Sequence, residues 1–263
     1  MAGAATRGHA IAHPSLRCEY GLVPWDSDAF GFPVAQISGL DLLAGDDAIA
    51  AFATFEHWRD EADVAIVYAR LRHEQLRESM FLESRGFRFV EVVYRRSCEN
   101  VQALDFADDG IALQAATESD LADIDRVARA AFTTGRYALD FRIDPRLNGE
   151  RYVRWARGAL AHPSQRLVKA SAAGATVGFF VIEDTEPRRC YWHLTAVAPG
   201  HQGAGFGRRI WRAVLMMHRH AGIERVDTTV SGHNLAVLNL YAGLGFRFTG
   251  CETTLHWVRA DRG

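Results

Sequence analysis

A glycine-rich turn between a strand and a helix constrains this chain more than any other stretch. Residues 191–197 are rich in strand-favouring side chains, and Pro199, which has no N–H to donate, ends the strand. Three alternating glycines follow, Gly203, Gly205 and Gly207, and from there apolar residues recur with helical spacing. Glycines let successive N–H groups point one way, and a helix N-terminus adds unpaired donors. The stretch therefore predicts a phosphate-binding turn.

Glycine-rich turns between a strand and a helix also occur in several unrelated kinds of site. A tight turn packed closely for steric reasons would use glycines in the same way. A Rossmann dinucleotide turn requires G-x-G-x-x-G with an acid about 20 residues on. Asp227 has a suitable position for that acid, but the glycine spacing is wrong. A Walker loop requires Gly-Lys-Ser/Thr, which the stretch lacks.

The glycine turn resembles a family motif. Gln202-x-x-Gly205-x-Gly207, preceded by Val197-x-Pro199 at the end of a strand, is similar to the acetyl-CoA pyrophosphate motif of the GNAT superfamily of N-acetyltransferases. This resemblance implies that acetyl-CoA is the cofactor. It also implies transfer of the acetyl group to a primary amine, by direct attack in a ternary complex.

A second signature of the same family follows about thirty residues later. The stretch from Asn234 to Phe246, which contains Tyr241, resembles it, and the likeness as a whole covers residues 111–259. It implies an α/β (α+β) fold in which a central mixed, mostly antiparallel sheet is flanked by helices.

The resemblance also implies which residues hold the cofactor. The glycine loop would bind the pyrophosphate, and the end of the strand would splay from its neighbour and offer backbone groups to the pantetheine arm. The N–H of Val197 would polarise the acetyl carbonyl, and Asn234 would bond to the pantetheine or its surroundings. The predicted cofactor-binding residues are Thr195, Ala196, Val197, Gln202, Gly203, Ala204, Gly205, Phe206, Gly207, Arg208 and Asn234.

Two residues are predicted to be catalytic. Tyr241 would be the general acid, because a phenol with a pKa of about 10 is neutral at pH 7 and suits protonation of a leaving thiolate. Without the motif, Tyr241 would be interpreted as a packing aromatic. His193 is a candidate base on the same side of its strand as Tyr191. The base stays open between His193, the weaker candidate His233, and a water chain.

Composition excludes several other classes of function. The chain has 263 residues, is 48% hydrophobic and carries a formal charge of −2, which is typical of a globular protein and gives no basic excess for nucleic acid. No apolar run reaches the roughly 18–20 residues of a membrane helix, and no signal peptide is evident in residues 1–16. Four scattered cysteines without a C-x-x-C pair indicate reduced thiols and no metal site. We therefore expect a cytoplasmic protein.

An internal repeat is the most informative feature of the first half. Gly86-Phe-Arg-Phe aligns with Gly245-Phe-Arg-Phe, and the register extends backward without a gap, so that Gln75 aligns with Asn234 and Leu82 with Tyr241. Two βαβ units with similar turns could converge on this pattern. The alternative that we adopt is a duplicated, degenerate part of the acetyltransferase fold that has lost its chemistry.

The repeat and the composition predict four segments. They are a disordered N-terminus over residues 1–14, a degenerate GNAT-like domain over 15–100, a polar linker over 101–110, and a catalytic GNAT domain over 111–263.

The acceptor is predicted from a second resemblance. Trp25 to Gly31, together with the stretch from Ala131 to Asp140, is similar to the TDP-fucosamine acetyltransferase branch, which N-acetylates a nucleotide-linked 4-amino-4,6-dideoxy sugar. The resemblance makes Arg136 and Tyr137 the candidate substrate-binding residues, since arginine suits phosphate oxygens; Arg142 could serve equally.

Two alternatives to this function are kept. One is an acetyltransferase for another small amine, an antibiotic or a protein amine. The other is a non-catalytic acyl-CoA-binding module. A homodimer is compatible with either alternative.

Overall fold

The computed structural model describes residues 8–260, and the chain divides into two units. The first unit consists of Met1–Val93, Arg136–Leu147 and Gly250–Gly263, and the second consists of Tyr94–Gly135 and Asn148–Thr249. Within residues 8–260, none of the helices has both the length and the apolar character that crossing a bilayer requires.

The helices and strands follow one another in a mixed order along the chain. The strands are β1 (His9–His13), β2 (Leu16–Leu22), β3 (Val34–Leu42), β4 (Ile66–Arg72), β5 (Arg88–Cys98), β6 (Ala112–Ala115), β7 (Gln165–Ala172), β8 (Ala175–Glu186), β9 (Arg189–Val197), β10 (Arg225–Ser231) and β11 (Arg247–Val258). The α-helices are α1 (Pro24–Phe30), α2 (Ala48–Glu61), α3 (Leu76–Ser84), α4 (Leu121–Ala131), α5 (Arg136–Leu139), α6 (Pro145–Leu160), α7 (Phe206–His220) and α8 (Leu235–Gly243).

The first unit is built on the strand order β1-β2-β3-β4-β11. Only the β3–β4 pair among these strands is parallel; the other three pairs are antiparallel. One apolar cluster packs Phe52 and Phe55 of α2 against strand residues such as Leu16, and a second cluster contains Tyr68 of β4 and Tyr137 of α5. Both faces of this sheet are therefore covered.

The second unit has the strand order β6-β7-β8-β9-β10, with β5 next to β10. The meander from β6 to β9 is antiparallel, and β9 and β10 are parallel. Consecutive residues of β8 point to opposite faces: Phe180 packs in the cluster that includes Trp211 of α7, and Phe179 packs in the cluster that includes Ile124 of α4. The predicted mixed, mostly antiparallel sheet with flanking helices is confirmed.

The repeat predicted from the sequence has a structural counterpart. β4 and β10 each have seven residues, and α3 and α8 each have nine, in the same relative spacing. Both helices are followed by a glycine in the left-handed region, Gly86 at φ 86° and Gly245 at φ 83°. Leu82 and Tyr241 hold the same place in the two helices, and both are buried.

The correspondence extends upstream into β3 and β9. A bulge in each strand leaves one residue without a partner on the preceding strand, Ser38 in β3 and His193 in β9. The parallel pairing of each strand ends one residue before its bulge, at Ile37↔Ala69 and at Trp192↔Thr228. Each unit thus contains a pair of parallel strands that part at the same position.

The N-terminus differs from the prediction. We expected residues 1–14 to be disordered, but His9–His13 form β1, which pairs antiparallel with β2. The His9 ring also packs on the rings of Tyr20 and Trp58. These contacts join residues far apart in sequence, so the composition of residues 1–14 does not indicate them. The part of the prediction that falls on residues 1–7 lies outside the described residues.

Candidate active site

The parallel strands β9 and β10 part in the middle of the second unit. Their register runs from Arg189↔Arg225 to Trp192↔Thr228, and both strands continue beyond it. Ala198 donates its N–H to Val177 O of β8 (2.8 Å). Because N–H groups alternate in direction along a strand, the N–H of Val197 faces the opposite side, toward the opening. The opening therefore offers main-chain hydrogen-bonding groups to an extended ligand.

The glycine turn follows at the end of β9. Gly203 (φ 76°) and Gly205 (φ 79°) have left-handed backbone, which favours glycine, and Gly205 is the N-cap of α7 without a side-chain cap. The amide of Gln202 donates to Val197 O (3.1 Å) and holds the turn against the strand end. A Cβ on Gly207 would lie 3.5 Å from Leu240 Cδ2 and 3.9 Å from Val197 Cγ2. The first-turn N–H groups have no intrahelical acceptor, so the turn fits a diphosphate.

Side chains around the turn divide into those engaged with the protein and those exposed. Phe206 packs on the His201 ring, with ring centroids 4.7 Å apart, while Ala204 is exposed. Arg209 donates to Asp109 O at 2.9 and 2.6 Å. Arg208, in contrast, is exposed on the first turn of α7. Arg208 is therefore the arginine that a bound anion can reach.

Asn234 has a structural role at the start of α8. Its Oδ1 accepts the N–H of Val237 (3.2 Å), which is the bond of a helix N-cap. The carbonyl oxygen is thereby engaged, and the Nδ2 amide is the group that Asn234 can offer to a ligand.

Tyr241 is a buried residue of α8, with 1% of its surface exposed. Its ring lies near Trp192, Trp211 and Phe246, at centroid distances of 6.4, 6.3 and 4.7 Å. Burial raises the pKa of the phenol above its usual value of about 10; the hydroxyls of Thr195 and Thr228 favour the phenolate and offset part of that rise. The phenol is neutral at pH 7 and lies where the two strands part.

His193 forms a close pair with Glu183 of β8, at 2.5 Å between Nε2 and Oε2. Burial lowers the pKa of His193 to about 4, although the Glu183 carboxylate opposes this. The imidazole is therefore neutral at pH 7, and its Nε2 is the nitrogen that meets the Glu183 carboxylate.

Glu183 is a functional candidate that sequence reasoning missed. Burial alone would raise the pKa of Glu183, but hydrogen bonds from Ser164 Oγ (2.7 Å) and His193 outweigh it, so the pKa is lowered. Glu183 is the cross-strand partner of Tyr191, and the length of the β8–β9 hairpin would have been the signal for it.

The two predicted catalytic side chains lie on different faces of the sheet. Trp192 packs in the cluster that contains Tyr241. The His193 ring lies 4.7 Å from that of Tyr191 and 5.9 Å from that of Trp155 in α6. His233, the weaker candidate, is exposed in the turn before α8.

Arg136 and Tyr137 lie in the first unit, where their polar groups are engaged. The Tyr137 hydroxyl donates to Asp26 Oδ2 (2.9 Å), and Arg136 Nη2 donates to that hydroxyl (3.1 Å). The guanidinium also lies 3.8 Å from the Tyr68 ring centroid, and 10% of the Arg136 side chain is exposed. Tyr137 is buried, and its ring stacks on His256. Arg142 pairs with Asp140 at 2.7 Å.

Comparison with protein families matches residues 129–246 to the acetyltransferase (GNAT) family. A mycothiol acetyltransferase of Propionibacterium freudenreichii is 35% identical over 88 residues, which is 32% of this chain and 28% of that protein. A streptothricin acetyltransferase of Streptomyces lavendulae is 29% identical over 38% of this chain and 53% of its own length. The N-alpha-acetyltransferase RimI of Mycobacterium tuberculosis is 33% identical over 38% of this chain and 63% of its own. The chain thus spans less than two thirds of each of these relatives.

Solved structures share the fold over nearly the whole chain. A conserved protein of unknown function from Staphylococcus epidermidis has a TM-score of 0.66 at 15% identity, over 96% of this chain and 94% of its own. A GCN5-related N-acetyltransferase from Sphaerobacter thermophilus has a TM-score of 0.62 at 14% identity, over 92% and 76%. A tandem GNAT protein from the clavulanic acid biosynthesis pathway has a TM-score of 0.59 at 14% identity, over 94% and 85%. Residues 129–246 therefore resemble the acetyltransferase (GNAT) family, and the solved structures share the fold of the chain.

Proposed function

We propose that the chain is an acetyl-CoA-dependent N-acetyltransferase that transfers the acetyl group to a primary amine by direct attack in a ternary complex. The observation that carries this proposal is the parting of β9 and β10 beside the glycine turn. A buried, neutral phenol lies at the same point. A site that only bound acyl-CoA would have no need of a proton donor there.

Acetyl-CoA would supply a thioester with an electrophilic carbonyl carbon. The N–H groups of residues 203–207 and the exposed Arg208 would hold the pyrophosphate. Thr195, Ala196 and the Nδ2 of Asn234 would orient the pantetheine arm. The N–H of Val197 would donate to the developing oxyanion, and Tyr241 would protonate the leaving sulfur.

His193 is the proposed base, with Glu183 holding its Nε2–H. Since the pKa of His193 is about 4, the base is already deprotonated at pH 5. When kcat is measured at saturating acceptor from pH 5 to 8, the profile should therefore show no inflection near pH 6.5. His193→Gln should lower kcat by about 10²-fold throughout this range.

The same kcat profiles decide between the candidate bases. His233→Gln, a change at an exposed histidine, is the control and should leave kcat unchanged. An inflection near pH 6.5 in the wild-type profile would contradict the His193 base. A lowered kcat in His233→Gln would favour His233, and an unchanged kcat in both variants would favour a water chain.

The acceptor that we propose is a nucleotide-linked amino sugar. The support is the sequence resemblance of residues 25–31 and 131–140, in which Arg136 and Tyr137 are the candidate substrate-binding residues. Phosphate oxygens of the nucleotide would have to compete with Asp26 and the Tyr137 hydroxyl for the Arg136 guanidinium. Arg142 would be the alternative. Another small amine, an antibiotic or a protein amine is the competing acceptor, since the relatives are named mycothiol acetyltransferase, streptothricin acetyltransferase and N-alpha-acetyltransferase RimI.

Thiol release from acetyl-CoA across a panel of amines tests the function. The panel contains TDP-4-amino-4,6-dideoxy sugars, UDP-amino sugars, an aminoglycoside, spermidine and a lysine peptide. We expect turnover with the nucleotide sugars and none with the others. Turnover with the aminoglycoside, spermidine or the peptide would overturn the acceptor and keep the reaction. Tight CoA binding without turnover on any amine would favour the non-catalytic module.

We also propose a cytoplasmic location. Cys18, Cys98, Cys190 and Cys251 are all free thiols, as expected in a reducing compartment.

The assembly that we propose is a homodimer. Size-exclusion chromatography with light scattering would test it.

A further inference from the structure

The first unit contains a second pair of parallel strands that part. β3 and β4 separate after the pair Ile37↔Ala69, as β9 and β10 separate after Trp192↔Thr228. Both β3 and β4 continue beyond that pair. The opening that would receive a pantetheine arm in the second unit thus has a counterpart in the first.

The bulges fix which residues correspond. Leu42 lies four residues beyond the bulge at Ser38, and Val197 lies four residues beyond the bulge at His193. The next residues agree: Leu43 donates its N–H to Ser15 O on the β2 side (3.0 Å), as Ala198 donates to Val177 O on the β8 side. The N–H of Leu42 therefore faces the opening of the first unit, as that of Val197 faces the opening of the second.

In the first unit, side chains of α3 already bind these backbone groups. Glu78 Oε1 accepts the N–H of Leu42 (3.1 Å). Gln75 donates its amide to Leu40 O of β3 (2.8 Å) and accepts the N–H of Arg72 of β4 (3.0 Å). Gln75 thus bridges the two strands across their opening. Glu78 occupies the Leu42 N–H, which would otherwise be available to the carbonyl oxygen of a ligand.

The second unit uses the corresponding helix differently. Asn234, which aligns with Gln75, caps its own helix through Val237 N–H. Val237, which aligns with Glu78 in the same register, has no carboxylate to offer. The opening between β9 and β10 is therefore not bridged in this way.

The phosphate end of the first unit is also unlike that of the second. α2 begins at Ala48 and is preceded by Asp46 and Asp47, both exposed, where α7 is preceded by the glycine turn. Carboxylates at a helix N-terminus stabilise the helix, but they repel a diphosphate.

We propose that Gln75 and Glu78 close the cofactor opening of the first unit, so that each chain binds a single acetyl-CoA, in the second unit. The identity of the ligand rests on the proposed function; the closure rests on the hydrogen bonds of α3. The duplicated opening is thus retained as a fold element whose ligand is replaced by the chain's own side chains.

Calorimetric titration with coenzyme A measures the number of sites directly. We expect one molecule per chain for the wild type and for Gly158→Asp, an exposed glycine of α6 where an added Cβ meets nothing within 4 Å. Gly207→Asp, which puts the same charge on the turn of the second unit, should show no site of wild-type affinity. Circular dichroism of both variants confirms that they are folded.

Each outcome of this titration has a distinct meaning. Two molecules per chain in the wild type, or one site of wild-type affinity remaining in folded Gly207→Asp, would overturn the closure and leave the proposed function intact. Absence of binding in the folded wild type would overturn the proposed function, and this inference with it. Amide exchange gives a second readout: coenzyme A should slow exchange at Val197 and leave Leu42 unchanged.

Discussion

Tyr241→Phe is expected to lower kcat by about 10²–10⁴-fold and to leave the affinity for acetyl-CoA unchanged. The phenylalanine ring keeps the packing with Trp192, Trp211 and Phe246 and removes only the proton that the sulfur would receive. Because burial raises the pKa of Tyr241 above about 10, the wild-type kcat should also hold up to about pH 9. Steady-state kinetics and a binding titration on both proteins measure the two effects.

Tyr94→Phe is the matched control for this deletion of a hydroxyl. Tyr94 is half-buried in the second unit, with its ring 5.2 Å from that of Phe248, and no catalytic role is assigned to it. It should retain wild-type kcat. A Tyr241→Phe protein with full turnover would show that another group protonates the leaving sulfur.

Gly207→Asp is expected to weaken acetyl-CoA binding by at least about 10²-fold. Two unit charges about 4 Å apart near a protein surface repel by about 4 kcal/mol, and the pyrophosphate would lie against this turn. The helix itself should not suffer, since an acidic residue in the first turn is favourable for α7. Isothermal titration with acetyl-CoA gives the affinity.

Gly207→Ala separates the effect of charge from that of bulk. Its Cβ would make ordinary contacts with Leu240 and Val197, at 3.5 and 3.9 Å. If the alanine variant loses as much affinity as the aspartate variant, the affinity depends on close approach of the pyrophosphate to the backbone and not on charge. Wild-type affinity in Gly207→Asp would mean that the pyrophosphate binds elsewhere.

The strand–turn–helix around the glycines could be predicted because its determinants are local. Pro199 ends the strand, and Gly203 and Gly205 occupy left-handed backbone that few other residues adopt. The helix that follows carries its apolar residues on one face. Likewise, the repeat was visible in sequence because both copies keep the glycine turn after α3 and α8.

Other parts of the site depend on contacts that sequence spacing does not encode. The pairing of His193 with Glu183 requires the β8–β9 register and its bulge, since one residue of slippage turns a side chain to the other face. The environment of Tyr137 depends on Asp26, more than a hundred residues away, with which it shares the first unit. Neither partner could be chosen from periodicity.

A crystal structure of the acetyl-CoA complex would test the central claim most directly. The account predicts pyrophosphate oxygens against the N–H groups of residues 203–207, the thioester oxygen at the N–H of Val197, and the sulfur beside the hydroxyl of Tyr241. A pyrophosphate bound at the start of α2, or a thioester remote from the opening between β9 and β10, would contradict it.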